Sequence, residues 1–264
     1  MFGWLLKPFK EGKQVKTIVL DLETIPDAAA MQRAAVEDDG SFPPWPLHAL
    51  ACASMLIVET DLGGRPTFSV ASYSRATTSE RGIVAAVERV VAGAHRVLTF
   101  NGRAFDLPVL MVRAAMTGEV VPTIAKLHAQ RRFTAGLHVD LLEEATNYGT
   151  APRIRLNQLC AAFSVPSKID TEGSEVAALV AADEWDAVTD YCEQDVVCTY
   201  LAAQHWVAAE RGDPALPLEC WSHLARWIRS EQPRLRHLLA FASPPEAFLG
   251  GPALRQVEYS ELGW

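Results

Sequence analysis

Four acids and a tyrosine carry the chemistry open to this chain. In TIVLDLETIPD, residues 17–27, a mostly apolar run ends in Asp21, Leu22 and Glu23. A strand alternates its side chains, so the two acids share one face while Leu22 takes the other. Two like charges on one face repel, and burying them is costly unless a cation lies between them. The bland alternative is a solvated strand end before a turn at Pro26. Two distant segments bear on that choice. LTFNGRAFDLPVL, residues 98–110, puts Asp106 in the first turn of a helix that follows a strand and a loop, where the helix dipole favours a carboxylate. DYCEQDVVCTY, residues 190–200, puts Tyr191 and Asp195 at i and i+4 on one helical face. Each segment alone has an ordinary structural explanation; the three in order are far more specific. Four carboxylates converging on one spot make the oxygen-rich setting that two hard divalent cations need. Two such ions about 4 Å apart can clamp both the attacking and the leaving oxygen of a phosphodiester.

The elements that would position these residues follow from periodicity. A strand over 17–22 is followed by a proline-broken segment, SFPPWP, at 41–46. The runs 49–59 and 67–74 read as a hairpin around the turn DLGGRP. Thr77 and Glu80 have capping-box spacing ahead of a helix that stops near Gly93. RVLTF (96–100) and HVDLL (138–142) read as strands, and a helix after Asp106 ends by Gly118. From about residue 156 the pattern is helical. It includes a long helix over 184–210, with Asp183 as a plausible cap and Gly212 and Pro214 as its stop. The order is that of a mixed α/β domain.

Composition bounds the rest. The chain has 264 residues, 49% of them hydrophobic, with net charge -8 and pI near 5.4. That argues against coating nucleic acid by bulk electrostatics, though not against an enzyme whose ions neutralise the phosphates it handles. Five cysteines without a C-x-x-C pair fit neither a disulfide framework nor a thiolate zinc site; Cys192 and Cys198 read as small core residues. No run reaches the roughly 18 apolar residues of a membrane span, and the N-terminus lacks the pattern of a signal peptide. The expectation is a soluble protein of a reducing compartment, most simply cytoplasmic. Between 221 and 240, Arg226, Arg229, Arg234 and Arg236 face one acid, Glu231. That run is a solvated basic face or a contact surface for nucleic acid or a partner. The last 20 or so residues, rich in Gly and Pro, read as a loosely packed tail.

The order D-x-E, N-G-x-x-F-D, Y-x-x-x-D resembles the DEDDy branch of the DnaQ-like 3'-5' exonucleases. Within it, DLETIPD, FNGRAFDLPVL and YCEQDVVCTY look closest to the predicted exonucleases related to the proofreading domain of family B DNA polymerases. The resemblance implies an α/β fold with a ribonuclease-H-like mixed sheet flanked by helices. It divides the chain into an N-terminal extension (1–14), an exonuclease domain (15–212) and a C-terminal helical extension and tail (213–264). It implies two Mg2+ or Mn2+ ions: Asp21 would bridge both, Glu23 and Asp195 would hold the ion that binds the attacking water, and Asp106 the second ion, partly through water. Tyr191 would orient that water. Thr24 and Ile25 would contact the terminal nucleotide, Asn101 and Arg103 would reach sugar or phosphate, and Lys168 a phosphate. Asp140, at a strand end, is the decoy for the fourth ligand. The expected substrate is the 3' end of single-stranded nucleic acid, DNA favoured, cut to nucleoside monophosphates. An RNA-trimming exoribonuclease and a non-catalytic nucleic-acid-binding module on the same fold are the alternatives.

Overall fold

The computed structural model describes residues 14–37, 39–130, 136–167 and 173–245. The chain runs β1 (Val15–Pro26), α1 (Ala28–Arg33), a 3-10 turn (Trp45–Leu47), β2 (His48–Thr60) and β3 (Pro66–Ser74). Then come α2 (Glu80–Val91), β4 (Arg96–Thr99), α3 (Asp106–Thr117), α4 (Pro122–Ala129), β5 (His138–Asp140) and α5 (Leu141–Ala145). The helices α6 (Leu156–Ala162), α7 (Gly173–Ala181), α8 (Trp185–Arg211) and α9 (Leu216–Ser230) follow, with a final 3-10 segment at Arg236–Phe241. The sheet order is β3-β2-β1-β4-β5. β2 pairs antiparallel with both β1 and β3, whereas β4 lies parallel to β1 and β5. This is the mixed ribonuclease-H-like arrangement expected from the sequence.

Alternation along β1 fixes which layer meets the acids. Ile18, Leu20 and Leu22 pack with residues of α2, α3 and α4, while Val19 packs with residues of α8 and α9. By the same two-residue period, Asp21 and Glu23 face α8. Two breaks in strand pairing open the sheet at this end. β1 and β4 are paired only from Thr17↔Arg96 to Val19↔Leu98, so their downstream ends part and leave a crevice. In the β1–β2 ladder the register shifts between Glu23 and Thr24. Such a bulge re-aims the side chains beside it.

The described part of the C-terminal extension shares the core of the sheet. Trp221, Leu224 and Ile228 of α9, with Leu238 and Phe241, are buried in one cluster with Val19, Val196 and Tyr200. Two expected caps differ. α2 is capped by Ser79, whose side chain accepts from the Gly82 N–H at 3.1 Å. Glu80 turns inward instead, accepting from the Leu50 N–H at 2.7 Å and from Arg113. Asp183 has φ +61 and accepts from the Trp185 indole N–H at 2.7 Å, and the N-cap of α8 is Glu184. The stop at Gly212 stands: it caps α8 in the left-handed region, φ +66, where a residue without a Cβ is unstrained. In the arginine run, Arg234 pairs with Glu231 at 3.3 Å, Arg226 meets His223 at 3.0 Å, and Arg229 donates to the Ala242 carbonyl. The expected tail lies outside the described residues.

Candidate active site

The crevice between the parted ends of β1 and β4 is a cleft of about 250 Å³, and Asp21, Asp106 and Asp195 all line it. Each arrives from a different element. Asp21 and Glu23 come from β1, Asp106 opens α3, and Tyr191 and Asp195 stand one turn apart on α8. Asp106 is 4% exposed and hydrogen-bonds the Leu22 backbone, which ties α3 to the strand carrying the D-x-E pair.

Electrostatics show how closely these groups are gathered. Burial pushes the Asp21 carboxyl well above its usual range, and the charges of Asp106 and Asp195 push it further. Glu23 rises for the same reasons, burial first and then Asp21 and Asp195. Asp106 is raised to about 7, mainly by burial and then by Asp140. Burial, followed by the charges of Asp195, Glu23 and Asp21, lifts the Tyr191 phenol above its ordinary value, so the hydroxyl stays a proton donor. Among the described residues no hydrogen-bond donor meets the Glu23 carboxylate, and the donor on the Asp21 side chain is the Cys192 thiol at 3.6 Å. Buried acids that repel are relieved by holding a proton, as their raised values show, or by a cation. The donor set, all carboxylate oxygen apart from that thiol, suits hard divalent ions.

The loop between β4 and α3 is organised by Asp140. Its carboxylate accepts from the backbone N–H groups of Asn101 (2.9 Å), Arg103 (2.8 Å) and Leu142 (3.0 Å). Asn101 takes a left-handed φ of +69. Gly102 passes so close to Thr99 that a Cβ would stand 2.5 Å from its side chain. Asp140 is therefore the scaffold of this loop, outside the carboxylate cleft and felt there through its charge on Asp106.

The remaining expected contacts divide. Asn101 lines the cleft. Thr24 is buried, with its hydroxyl 2.9 Å from His48 Nδ1, and Ile25 packs against the cluster of Ala51, Val188 and Cys192 beside Tyr191. The Arg103 guanidinium is not brought to the cleft. It binds Glu143 at 2.6 Å and the Gln130 carbonyl at 2.7 Å. Lys168 lies outside the described residues.

Three neighbours escaped the sequence reading. Cys192 is a core residue as expected, yet its Sγ lies with carboxylate oxygens of Asp21 and Glu23 in a group whose atoms are all within 4.8 Å. Arg153 and Arg155, both exposed, line the same cleft as the acids. The signal was the R-x-R before α6, which has no acid beside it.

A family model described as a predicted 3'-5' exonuclease related to the exonuclease domain of PolB matches residues 40–242. The match spans Asp106, Tyr191 and Asp195, and the strand with Asp21 and Glu23 stands upstream of it. The family B DNA polymerase of the hyperthermophilic archaeon Pyrobaculum calidifontis is similar in structure, with TM-score 0.50 and 15% identity, over 87% of this chain and 27% of the polymerase. Escherichia coli exonuclease I, solved with a dA16 oligonucleotide, is similar at TM-score 0.41 and 13% identity, over 84% of this chain and 42% of that one. The chain thus spans about a quarter of the polymerase's length. No curated protein matches the sequence. The fold and the family match agree, and the chain belongs to the family of predicted 3'-5' exonucleases related to the exonuclease domain of family B polymerases.

Proposed function

We propose that this protein is a DEDDy-type, two-metal-ion 3'-5' exonuclease that removes nucleoside monophosphates from the 3' ends of single-stranded nucleic acid, with DNA favoured. The observation that carries this reading is that Asp21, Asp106 and Asp195 line one cleft and that their charges, with that of Glu23, act on one another and on the Tyr191 phenol. The four carboxylates are the groups that would hold two Mg2+ or Mn2+ ions. Ions held there would supply an activated water and stabilise the oxygen that departs.

The protein's own groups do the rest. Water attacks the terminal phosphorus and the bond from phosphorus to the 3' oxygen breaks. A 5'-monophosphate leaves, and the shortened strand keeps a 3'-hydroxyl. Tyr191, held as a neutral phenol, orients the attacking water by hydrogen bonding. Arg153 and Arg155 complement the phosphates of the strand. Thr24 and Ile25, following the bulge, border the terminal nucleotide, and Asn101 reaches toward its sugar. Lys168 is a candidate phosphate contact. Arg103, engaged by Glu143, supports the loop instead.

The test is degradation of 5'-labelled DNA and RNA oligonucleotides, single- and double-stranded, with Mg2+ or Mn2+ and with EDTA. A ladder shortening from the 3' end, with mononucleotide products lost in chelator and in Asp21→Ala, is the expected result. Undiminished hydrolysis in EDTA refutes the metal mechanism. A few discrete internal cuts would make the protein an endonuclease. A strong preference for RNA would make it an exoribonuclease, and binding without turnover a non-catalytic module.

A further inference from the structure

An exposed aromatic ring stands next to the cleft and is held there by a buried relay. Phe42 is 62% exposed. Its ring packs on His48, with centroids 4.3 Å apart, and on Phe105, with centroids 5.4 Å apart. His48 and Phe105 meet edge to face at 5.2 Å. Phe105 lines the cleft and immediately precedes Asp106. His48 is 1% exposed, and its two ring nitrogens are both engaged: Nε2 lies 3.0 Å from the Pro43 carbonyl and Nδ1 2.9 Å from the Thr24 hydroxyl. A carbonyl only accepts, so Nε2–H donates to Pro43 and Nδ1 accepts from Thr24. The residue after the D-x-E pair therefore fixes, through one histidine, the backbone beside Phe42.

The ring packs on His48 and Phe105 yet keeps most of its surface open beside the cleft. Resting on the nuclease reading above, we propose that Phe42 is a stacking shelf for a nucleobase upstream of the 3'-terminal nucleotide. The aromatic surface is continuous with the cleft through Phe105, and Arg153 and Arg155 line that same cleft to meet the backbone. Single-strand binders combine these two devices, a basic path for phosphates and aromatic faces for bases. A protein partner fits less well. A stable interface covers about 800 Å² per side, far more than one ring offers. Stacking on one ring is sequence-tolerant, because every base has a π-face, so the shelf would grip any single-stranded end.

The test compares Phe42→Ala and Phe42→Trp with the wild type on two substrates. One is a thymidylate pentamer with 2-aminopurine next to its 3'-terminal nucleotide. The other is the p-nitrophenyl ester of thymidine 5'-monophosphate, which has no upstream base. Pentamer binding, read in EDTA from the quenching of 2-aminopurine, and the pentamer KM should weaken roughly 5- to 150-fold in Phe42→Ala. Phe42→Trp should keep both, and ester turnover should be unchanged in either variant. Leu62→Ala, at an equally exposed apolar residue of the hairpin turn, should behave as wild type. Unchanged pentamer binding in Phe42→Ala overturns the proposal, as does an equal loss on both substrates, which would mean that the ring only shapes the site. Phe42-dependent quenching by a protein that hydrolyses neither substrate would keep the shelf and remove the nuclease.

Discussion

Replacing Asp106 by Asn should stabilise the metal-free protein, and the gain should depend on pH in one direction only. Asp106 is buried, and its carboxyl is raised from 3.8 to about 7 by burial and by Asp140. Near pH 3 the side chain is protonated in the folded protein and largely so in the unfolded chain, so the asparagine changes little. As pH rises from 4 toward 7, the unfolded chain ionises while the folded one still holds its proton, and the wild type loses stability. Above about 7 both are ionised and the loss is complete. At about 1.36 kcal/mol per pH unit, the interval from 3.8 to about 7 amounts to about 4 kcal/mol, and relaxation and water entering from the cleft bring it to about 2–4 kcal/mol.

Urea unfolding in EDTA reads this directly. With a slope of about 2 kcal/mol per molar, Asp106→Asn should raise the midpoint by about 1–2 M at pH 8 and leave it nearly unchanged near pH 3. Saturating Mn2+ should narrow or close the gap at pH 8, because an ion bound only by the folded state adds about 2.7 kcal/mol at a hundred times its Kd, and Asp106 is one of the proposed ligands. Equal midpoints at pH 8 in EDTA, or the same gain at both pH values, would refute the reasoning.

Three further outcomes are expected. Tyr191→Phe should lower turnover by roughly 10- to 1000-fold while melting temperature and Mn2+ affinity hold, because only the hydroxyl is removed; wild-type turnover would take tyrosine out of the reaction. Gly102→Ala should cost about 1–3 kcal/mol in thermal unfolding, since the new Cβ would stand 2.5 Å from Thr99, which is itself fixed by His138 at 2.9 Å. His237→Ala should cost about 1–3 kcal/mol by stripping the 2.8 Å contact from the buried Glu193 carboxylate, and Glu193→Gln should recover part of the loss in a double variant.

The gathering of Asp21, Asp106 and Asp195 around one cleft was legible because chemistry dictates residue type and periodicity dictates face. A D-x-E on a strand and a Y-x-x-x-D on a helix can each present their groups on only one side, and the structure brings Asp21 of the first and Asp195 of the second into one cleft. What escaped depends on partners far along the chain. Arg103 looked like a substrate contact from its place beside Asp106, but Glu143 claims it, and nothing local announces that pairing. Asp140 looked like a stray acid at a strand end, and its role appears only once β4 and β5 lie side by side, with Thr99 opposite Asp140. Glu80 fitted a capping box, yet Leu50 and Arg113 draw it inward and Ser79 takes the cap. The bulge after Glu23 arises from the register of β2, which no window on β1 contains. Arg153 and Arg155 sat in a loop without periodicity.

What separates Asp140 and Glu193 from the acids of the cleft is the number of donors they meet. Glu23, Asp106, Asp140 and Glu193 are the buried acids among the described residues. Asp140 is surrounded by backbone N–H groups, which hold a loop. Glu193 accepts from Ser72 at 2.6 Å and meets His237 at 2.8 Å, which pins α8 to β3 and to the C-terminal 3-10 segment. Each of these two acids fixes backbone beside the cleft: Asp140 sets the loop before Asp106, and Glu193 sets the turn of α8 that displays Tyr191 and Asp195. Asp21 meets the charges of Asp106 and Asp195, and Glu23 meets those of Asp21 and Asp195. The fold bears that cost because the surrounding acids, fully paired, hold the elements where relaxation cannot separate the repelling ones. Removing donors from Asp140 or Glu193 should therefore lower activity through geometry, while removing charge from Asp21 or Glu23 lowers it through chemistry and relieves the fold.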